Sequence, residues 1–296
     1  MKVEKDQRAT VAFFLVPGLI IYVYFFALPV FQSVWESMFY WKGLRGAGNR
    51  EFVGLQNYVF LFTQDLYFWK AFSNTVFLMV VNLLLQIPLA FVMAMIVNSG
   101  IRGSKIFNFA FFMPYVFSAT SVALMWRFLY HPNGFVNQFL TLVGLESVTT
   151  AWLANPATNM GAIAIVGVWQ GAGISMILLG AGLAGIPAEV LESCKLEGAT
   201  QLQTVTRVII PMMWPVFTTV SILVLIGSVK SFDIIWVLTR GGPFHSTEVL
   251  TTWMYQQGLV LNEPARGATL ASFIFIFTLL LNLIVRIVTR RENVEY

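Results

Sequence analysis

Long apolar segments alternate with short polar ones along the whole chain. The six longest segments without Asp, Glu, Lys or Arg are residues 9–35, 71–101, 106–126, 147–188, 208–229 and 267–285. A hydrocarbon core about 30 Å thick is crossed by roughly 20 apolar residues in helical conformation. Each segment can therefore supply one membrane span. The approximate spans predicted are residues 9–31, 71–97, 106–127, 160–184, 208–231 and 267–289.

The apolar runs are continuous, and this distinguishes between the two architectures that can cross a bilayer. A spanning backbone must satisfy its own N–H and C=O groups, so it forms a helix or a closed barrel. Barrel strands alternate apolar and polar residues, whereas residues 19–30 and 273–277 are unbroken apolar runs. We expect an all-α membrane protein with six transmembrane helices in one domain, residues 1–296.

Composition and charge agree with this class. Of the 296 residues, 57% are apolar and 11% are charged, against about 25% charged in soluble domains. With both termini in the cytoplasm, the inner segments hold ten Lys and Arg residues and the longer outer segments hold eight. The inner side then has the higher density of positive charge, as the positive-inside rule requires. We therefore expect a multi-pass protein with both termini cytoplasmic.

The remaining composition predicts few ligands. The net charge of +4 is partly the topological bias, so it does not indicate nucleic-acid binding. Cys194 is the single cysteine, which excludes an internal disulfide. His131 and His245 are the only histidines and are far apart in sequence. Because metal sites usually need three or four ligands, we expect no metal site.

A hydrophilic segment at residues 186–210 is predicted to form a helix–glycine–helix elbow between spans four and five. Glu189 and Glu192 suit the positive end of a first helix. Gly198 suits a left-handed stop, and Thr200 with a Gln three residues later has the capping-box pattern of a second helix. Val190, Leu191 and Cys194 line one apolar face of the first helix. An exposed elbow with such a face should dock onto something; the alternative is a plain amphipathic linker that lies on the membrane surface.

The elbow resembles the EAA loop of binding-protein-dependent ABC importer permeases. That pattern is Glu-Ala-Ala, three residues, Gly, then nine residues and Ile-x-Leu-Pro. In this chain Glu192, Ser193 and Cys194 occupy the first three positions, followed by Gly198 and by the ending at Pro211. Ser and Cys replace both alanines, so small size is preserved while any role that needs alanine itself is in doubt.

Two further stretches are similar to the sugar permeases of this family. Residues 232–243 read FDIIWVLTRGGP and resemble the Phe-Asp…Leu-Thr-x-Gly-Gly-Pro signature. Residues 52–58 read FVGLQNY and resemble the first outer loop. Taken alone, the Gly-Gly-Pro sequence would indicate only a turn. In this order, with the elbow and the predicted spans, the resemblance covers essentially the whole chain.

The resemblance implies a division of labour between chains. The elbow would be a coupling helix that sits in a cleft of a cytoplasmic ATPase, with Glu192 paired to a basic residue there. The partners implied are two ATPase subunits, a second permease subunit of different sequence, an extracytoplasmic binding protein and its sugar. No G-x-x-x-x-G-K-[ST] phosphate loop is present in the sequence. The chain is therefore expected not to be an enzyme, and ATP and magnesium would bind the partner ATPase.

Candidate residues for the substrate path come from two arguments. Asn82 and Gln86 are four apart and so share a helix face; hydrogen bonding between helices is the alternative reading. The sugar-lining positions implied by the resemblance are Gln170, Gly171, Ile174, Ser228 and Ser231, together with Gly167 and Gly227. An aromatic platform is lost at Ile174. Ser228 and Ser231 are three apart, so both could face one side of span five.

Charged residues within the spans are scarce, which bears on the competing functions. Lys230 and Asp233 are three apart near the outer end of span five, so they could form a charge pair, with either an anchoring or a gating role. A secondary transporter or channel is the main alternative, and it would need embedded ionisable groups for coupling. An intramembrane enzyme would need a nucleophile and base or a metal set, and no H-E-x-x-H motif is present.

Overall fold

The structure is a computed structural model that describes residues 2–41, 43 and 50–289, without the side chains of 2–10 and 12. The expected all-α class is confirmed, because helices form most of the described chain and the strands are limited to one short pair. In chain order they are α1 (Lys2–Tyr22), α2 (Leu28–Glu36), α3 (Gln56–Thr63), α4 (Phe68–Val81), α5 (Ile87–Asn98), α6 (Ser104–Val116), α7 (Ala119–Leu129), α8 (Phe135–Leu142), α9 (Asn159–Ala184), α10 (Ala188–Leu196), α11 (Gln201–Thr204), α12 (Ile210–Met212), α13 (Trp214–Val229), α14 (Asp233–Leu238), α15 (Leu250–Tyr255) and α16 (Pro264–Val288). Strands β1 (Phe39–Tyr40) and β2 (Glu51–Phe52) form one antiparallel pair.

Candidate membrane spans follow the predicted apolar segments. In the described chain, five helical segments are long and apolar enough to cross a bilayer: Phe13–Glu36, Phe68–Asn98, Asn159–Ala184, Trp214–Leu238 and Pro264–Val288. A sixth crossing requires α6 and α7 together, and these two helices are bent by 97° at their junction. Where the bilayer begins and ends along each segment stays a prediction.

The third span is the one that differs from the expected continuous helix over 106–127. Helix α6 stops at Val116, and Phe117 has the extended values φ −71°, ψ 146°. Ser118 then caps α7, since its Oγ accepts from the backbone N of Ser121 at 3.2 Å. Pro114, inside α6, has no N–H to continue the helical ladder. Local cap chemistry thus breaks a segment that hydropathy alone reads as uninterrupted.

Three π-helical turns each end two residues before a proline. They are Val23–Ala27, Asn82–Gln86 and Val205–Ile209, which precede Pro29, Pro88 and Pro211 respectively. A proline inside a helix removes one N–H and clashes with the carbonyl four residues back. A π turn is wider than an α turn, so it relieves this clash. The helix continues past Pro29 and Pro88, whereas after Pro211 it ends at Met212.

Contacts divide the chain into two compact units, and the first comprises residues 1–66 and 253–277. Its strand pair sets Phe39 opposite Phe52, so the segment that resembles the first outer loop begins in β2. The Asn57 amide, on α3, donates to the carbonyls of Ser37 and Phe39, both at 2.8 Å. Within the same unit the Trp253 indole donates to Asp65 at 3.0 Å.

The second unit comprises residues 67–252 and 278–296, and α9 lies at its centre. Helices α4, α5, α6, α7, α13 and α14 all pack against α9. Gly173 shows how close this packing is, because a Cβ there would lie 2.6 Å from the backbone oxygen of Phe111 on α6. Small residues on α9 thus allow neighbouring helices to approach closely.

We predict that Gly173→Val destabilises the protein, since the obstructing atom is backbone and cannot turn aside. Overpacking of this kind costs about 1–3 kcal/mol. The measurement is the thermal unfolding of the detergent-solubilised chain followed by tryptophan fluorescence. Gly161→Val is the control, because Gly161 lies on the same helix with no described atom within 4 Å of its added Cβ. Equal unfolding temperatures for the two variants would contradict the prediction.

Candidate functional site

The elbow between α9 and α13 has the local structure that the sequence predicts. Helix α10 ends where Gly198 takes φ +74°, a left-handed conformation that favours glycine. Ala199 N then donates to the Cys194 carbonyl at 2.9 Å, which satisfies an open carbonyl of the last turn. Thr200 and Gln203 form the expected capping box, with Thr200 N donating to Gln203 Oε1 at 2.8 Å. The helix–glycine–helix prediction is confirmed.

The apolar face of α10 does not project from the protein as expected. Leu191 packs against a cluster that includes Ala94, Met176 and Ile209, so it contacts the chain's own helices. Val190 and Cys194 are half-buried as well. Part of this face therefore docks onto the chain's own helices, and docking of the elbow onto another protein stays a prediction. The apolar contact of α10 that the structure shows is therefore the one that Leu191 makes with this cluster.

A different set of side chains is presented outward by the elbow. Leu196 is 89% exposed and Leu202 is 73% exposed. Glu192 is exposed, and so are Glu189 and Glu197. Sequence reasoning missed the two leucines, although a signal exists. Leu196 is five residues after Leu191, about 140° around a helix of 3.6 residues per turn, so both cannot face the bundle.

Ser193 and Pro211 are the remaining residues that the sequence predicts for the elbow. Ser193 donates from its Oγ to the Glu189 carbonyl at 2.8 Å and is exposed. Pro211 lies in the short helix α12, after the π turn and before α13. The elbow therefore offers two exposed leucines beside three carboxylates, on a backbone fixed by a glycine stop and a capping box. Such a surface can dock a partner that supplies an apolar recess and basic side chains.

The predicted path residues Asn82 and Gln86 reach two different helices. Asn82 Nδ2 donates to Ser228 Oγ on α13 at 2.8 Å. Gln86 Nε2 donates to Ser175 Oγ on α9 at 2.9 Å, and the Gln86 amide lies against Gly171, where a Cβ would come within 2.7 Å of Nε2. Hydrogen bonding between helices, the alternative reading, describes both contacts. Asn82 Oδ1 is nevertheless buried and has no hydrogen-bond partner among the described residues.

Gln170 lies beside the break in the third span. Its Nε2 donates at 3.2 Å to the carbonyl of Phe117, and Phe117 is the residue that joins α6 to α7. Ile174, one turn further along α9, is half-buried. Gln170 can therefore stabilise the bent geometry, and it is sufficiently open to reach a molecule near that bend.

The expectations for the end of span five are wrong on two points. Helix α13 ends at Val229, so Ser231 is not helical and does not share a helix face with the buried Ser228. The backbone carbonyl of Ser231 instead accepts a hydrogen bond from Thr251 Oγ1 at 2.6 Å. No ion pair joins Lys230 to Asp233 within the described chain, and both are exposed. Both predictions fail for the same reason: residues 231–232 are not helical, so helical spacing does not continue through them.

An aromatic pair that sequence reasoning did not combine lies next to Gln170. The rings of Trp126 on α7 and Trp169 on α9 meet edge to face with centroids 5.6 Å apart. Trp169 is 36% exposed, and Trp126 Nε1 is buried without a hydrogen-bond partner in the described structure. Trp169 adjoins Gln170 in sequence, but only the fold brings Trp126 to it. For metals, no cluster of three or more potential ligands occurs among the described residues.

Apolar helices that can cross a membrane, and that carry buried amides, an aromatic pair and an exposed elbow, define a multi-pass membrane protein. The chain belongs to the family described as "Binding-protein-dependent transport system inner membrane component", which matches residues 67–294. It is a multi-pass membrane protein and an ABC transporter permease.

Individual relatives agree over nearly the full length. The probable ABC transporter permease protein YurN of Bacillus subtilis is 32% identical, over 91% of this chain and 92% of its own length. The multiple sugar-binding transport system permease protein MsmF of Streptococcus mutans is 32% identical over 89% of each chain. The fold is similar to a chain of a bacterial ABC transporter that imports alginate, with TM-score 0.83, 24% identity and coverage of 99% and 100%.

We predict that Gly198→Val leaves the protein in the membrane but weakens its assembly with the partner ATPase that the resemblance implies. A non-glycine residue in the left-handed region costs about 1–2 kcal/mol, so the elbow should move out of its docking geometry. Co-purified ATPase should fall on the order of tenfold, since 1.4 kcal/mol is a factor of ten. Gly144→Val is the matched control, because Gly144 has φ +80° and similar free space but lies between α8 and α9. Unchanged ATPase recovery with Gly198→Val would refute the prediction.

Proposed function

We propose that this chain is the permease subunit of an ATP-driven importer that forms the path for a sugar or oligosaccharide. The observation that carries the proposal is the elbow, a rigid docking surface of exposed leucines and carboxylates. A sequence without a phosphate loop needs a separate source of energy, and the elbow provides the place where that source attaches. The chain itself then hydrolyses no ATP.

The proposed assembly contains two such permeases, two ATPase subunits that bind ATP and magnesium, and an extracytoplasmic binding protein. The second permease is of different sequence. Both termini and the elbow face the cytoplasm. Closure of the ATPases on ATP pulls the elbow, and the connected segment from α11 to α13 transmits that movement into the membrane, where Ser228 contacts Asn82.

The chemistry of the path fits a neutral, hydroxyl-rich substrate. Sugar sites combine flat apolar faces with a few fixed polar groups. Trp169 supplies a partly open aromatic face, and Gln170 and Asn82 supply amides. Asn82 Oδ1 is an acceptor without a partner among the described residues, so a substrate hydroxyl can donate to it at no loss of an existing bond. Ser228 holds the Asn82 amide in position.

A secondary transporter or channel is the second candidate, and the charge distribution disfavours it. Coupling to protons or ions uses ionisable side chains within the membrane. The charged residues Lys70, Arg127, Lys230 and Asp233 lie at or beyond helix ends rather than in the middle of the spans. Sugar uptake into vesicles that requires both ATP and the ATPase subunits supports the proposal. Uptake driven by an ion gradient without ATPase subunits would establish the alternative.

We predict that Gln170→Leu and Trp169→Ala raise the sugar concentration needed for half-maximal uptake. A lost hydrogen bond costs about 0.5–1.5 kcal/mol, so up to roughly a tenfold rise is expected for Gln170→Leu. The measurement is ATP-dependent uptake of oligosaccharides by the reconstituted importer, with binding-protein affinity and ATPase assembly measured in parallel. Ile165→Ala, on the exposed side of the same helix, is the control. Wild-type uptake by both variants would assign these side chains to packing alone.

A further inference from the structure

The segment between α14 and α15 is held tightly to the rest of the second unit. We call residues 239–248 the tip loop. The hydroxyls of Thr239 and Thr247 lie 2.7 Å apart, and Thr247 Oγ1 donates to the Gly242 carbonyl at 2.9 Å. From α4, Asn74 Nδ2 donates to the carbonyls of Ser246 and Glu248 at 2.8 and 2.7 Å. The loop is therefore closed on itself and tied to span two.

Further contacts fix the second half of the tip loop. Asn159 Nδ2, at the start of α9, donates to Ser246 Oγ at 2.7 Å. The rings of Tyr67 and His245 have centroids 4.0 Å apart. The Glu248 side chain is 1% exposed; it lies 3.2 Å from His245 Nδ1 and accepts from Thr252 Oγ1 at 2.5 Å. A buried carboxylate with these partners is a strong anchor, because removing any of them would leave charge unsatisfied.

This bonding holds three non-glycine residues in the left-handed region. Arg240, Phe244 and His245 have φ values of 52°, 51° and 58°, and each such residue costs about 1–2 kcal/mol. The result is an outward-pointing ring. Phe244 is 93% exposed, whereas every other residue within 241–250, all of them described, is half-buried or buried. A rigid loop therefore presents one phenyl ring to its surroundings.

We propose that Phe244 is an anchor that inserts into an apolar recess on the extracytoplasmic binding protein. The proposal rests on the proposed function, because it needs an importer that receives its sugar from such a protein. Aromatic residues dominate the affinity of protein interfaces when they fill a pocket. A ring that is already fixed also loses little conformational freedom on binding. Both properties are present at Phe244.

The position of the tip loop along the chain puts it on the side of the membrane opposite the elbow. The segment Trp214–Leu238 is a candidate span, and it separates the tip loop from the elbow. A surface opposite the elbow is out of reach of cytoplasmic ATPases. The exposed charges nearest in sequence are Lys230, Asp233 and Arg240, two positive and one negative, so the partner's recess should have an acidic rim.

The small apolar surface of the tip loop favours a partner that binds transiently over a permanently bound subunit. Permanent interfaces are large and apolar. The tip loop instead offers one apolar side chain among hydroxyls, an imidazole and a cation. The second permease, which stays bound throughout transport, is therefore the less suitable occupant. A binding protein that docks once per transport cycle fits a small anchor of this kind.

The first test is a titration of the reconstituted importer, containing both permeases and the ATPases, with its sugar-loaded binding protein. Phe244→Ala should raise the binding-protein concentration for half-maximal ATPase stimulation at least about tenfold, the effect of losing an interface anchor of 1.4 kcal/mol or more. Phe244→Tyr keeps the ring and should remain within about twofold. Leu142→Ala is the matched control, since Leu142 is 83% exposed at the end of α8 and should have no effect.

The second test identifies the occupant directly. In a Cys194→Ala background, Phe244→Cys is labelled with a photoreactive maleimide in whole cells that express the complete importer, and products are identified by mass. A crosslink to the binding protein supports the proposal. A crosslink to the second permease, no crosslink, or coinciding titrations for Phe244→Ala and wild type would overturn it. If no binding protein stimulates the ATPase activity of the wild-type importer, the proposed function is wrong, and the proposed role of Phe244 is wrong with it.

Discussion

Hydrocarbon offers no water to a polar group, so every amide that enters it must find its partner within the protein. The second unit is organised around this constraint. On span two, Asn74 bonds the tip loop, Asn82 bonds α13 and Gln86 bonds α9. These bonds cross between segments that are far apart in sequence. They determine which faces of the helices meet, because apolar contact alone is non-directional and lipid competes for it.

The same bonds connect the elbow and the tip loop, the two places where we propose that partners bind. The chain runs from the elbow through α11, α12 and α13 to the tip loop, and Asn82 contacts this path at Ser228 near its middle. Movement of the elbow therefore acts on a helix that is hydrogen-bonded to span two.

Sequence signals gave correct predictions where the predicted structure depends only on residues that are close together in the chain. The stop at Gly198 and the capping box of Thr200 depend on atoms within a few residues, and both are confirmed. Predictions that extended helical spacing across an unseen helix end were wrong. Lys230 and Asp233 do not pair because α13 stops at Val229. Leu191 turned inward because α10 lies on the bundle, and no residue of the elbow itself reports that position.

The sequence by itself determined the class of the protein, the number of apolar segments and the elbow, because hydropathy and helix caps act over short distances along the chain. Only the tertiary structure decided the meeting of Trp126 with Trp169 and the exposure of Phe244. Each depends on contacts between distant segments. A single apolar residue looks the same in sequence whether it lies in a core, in lipid or at the tip of a rigid loop, and the fold alone distinguishes these places.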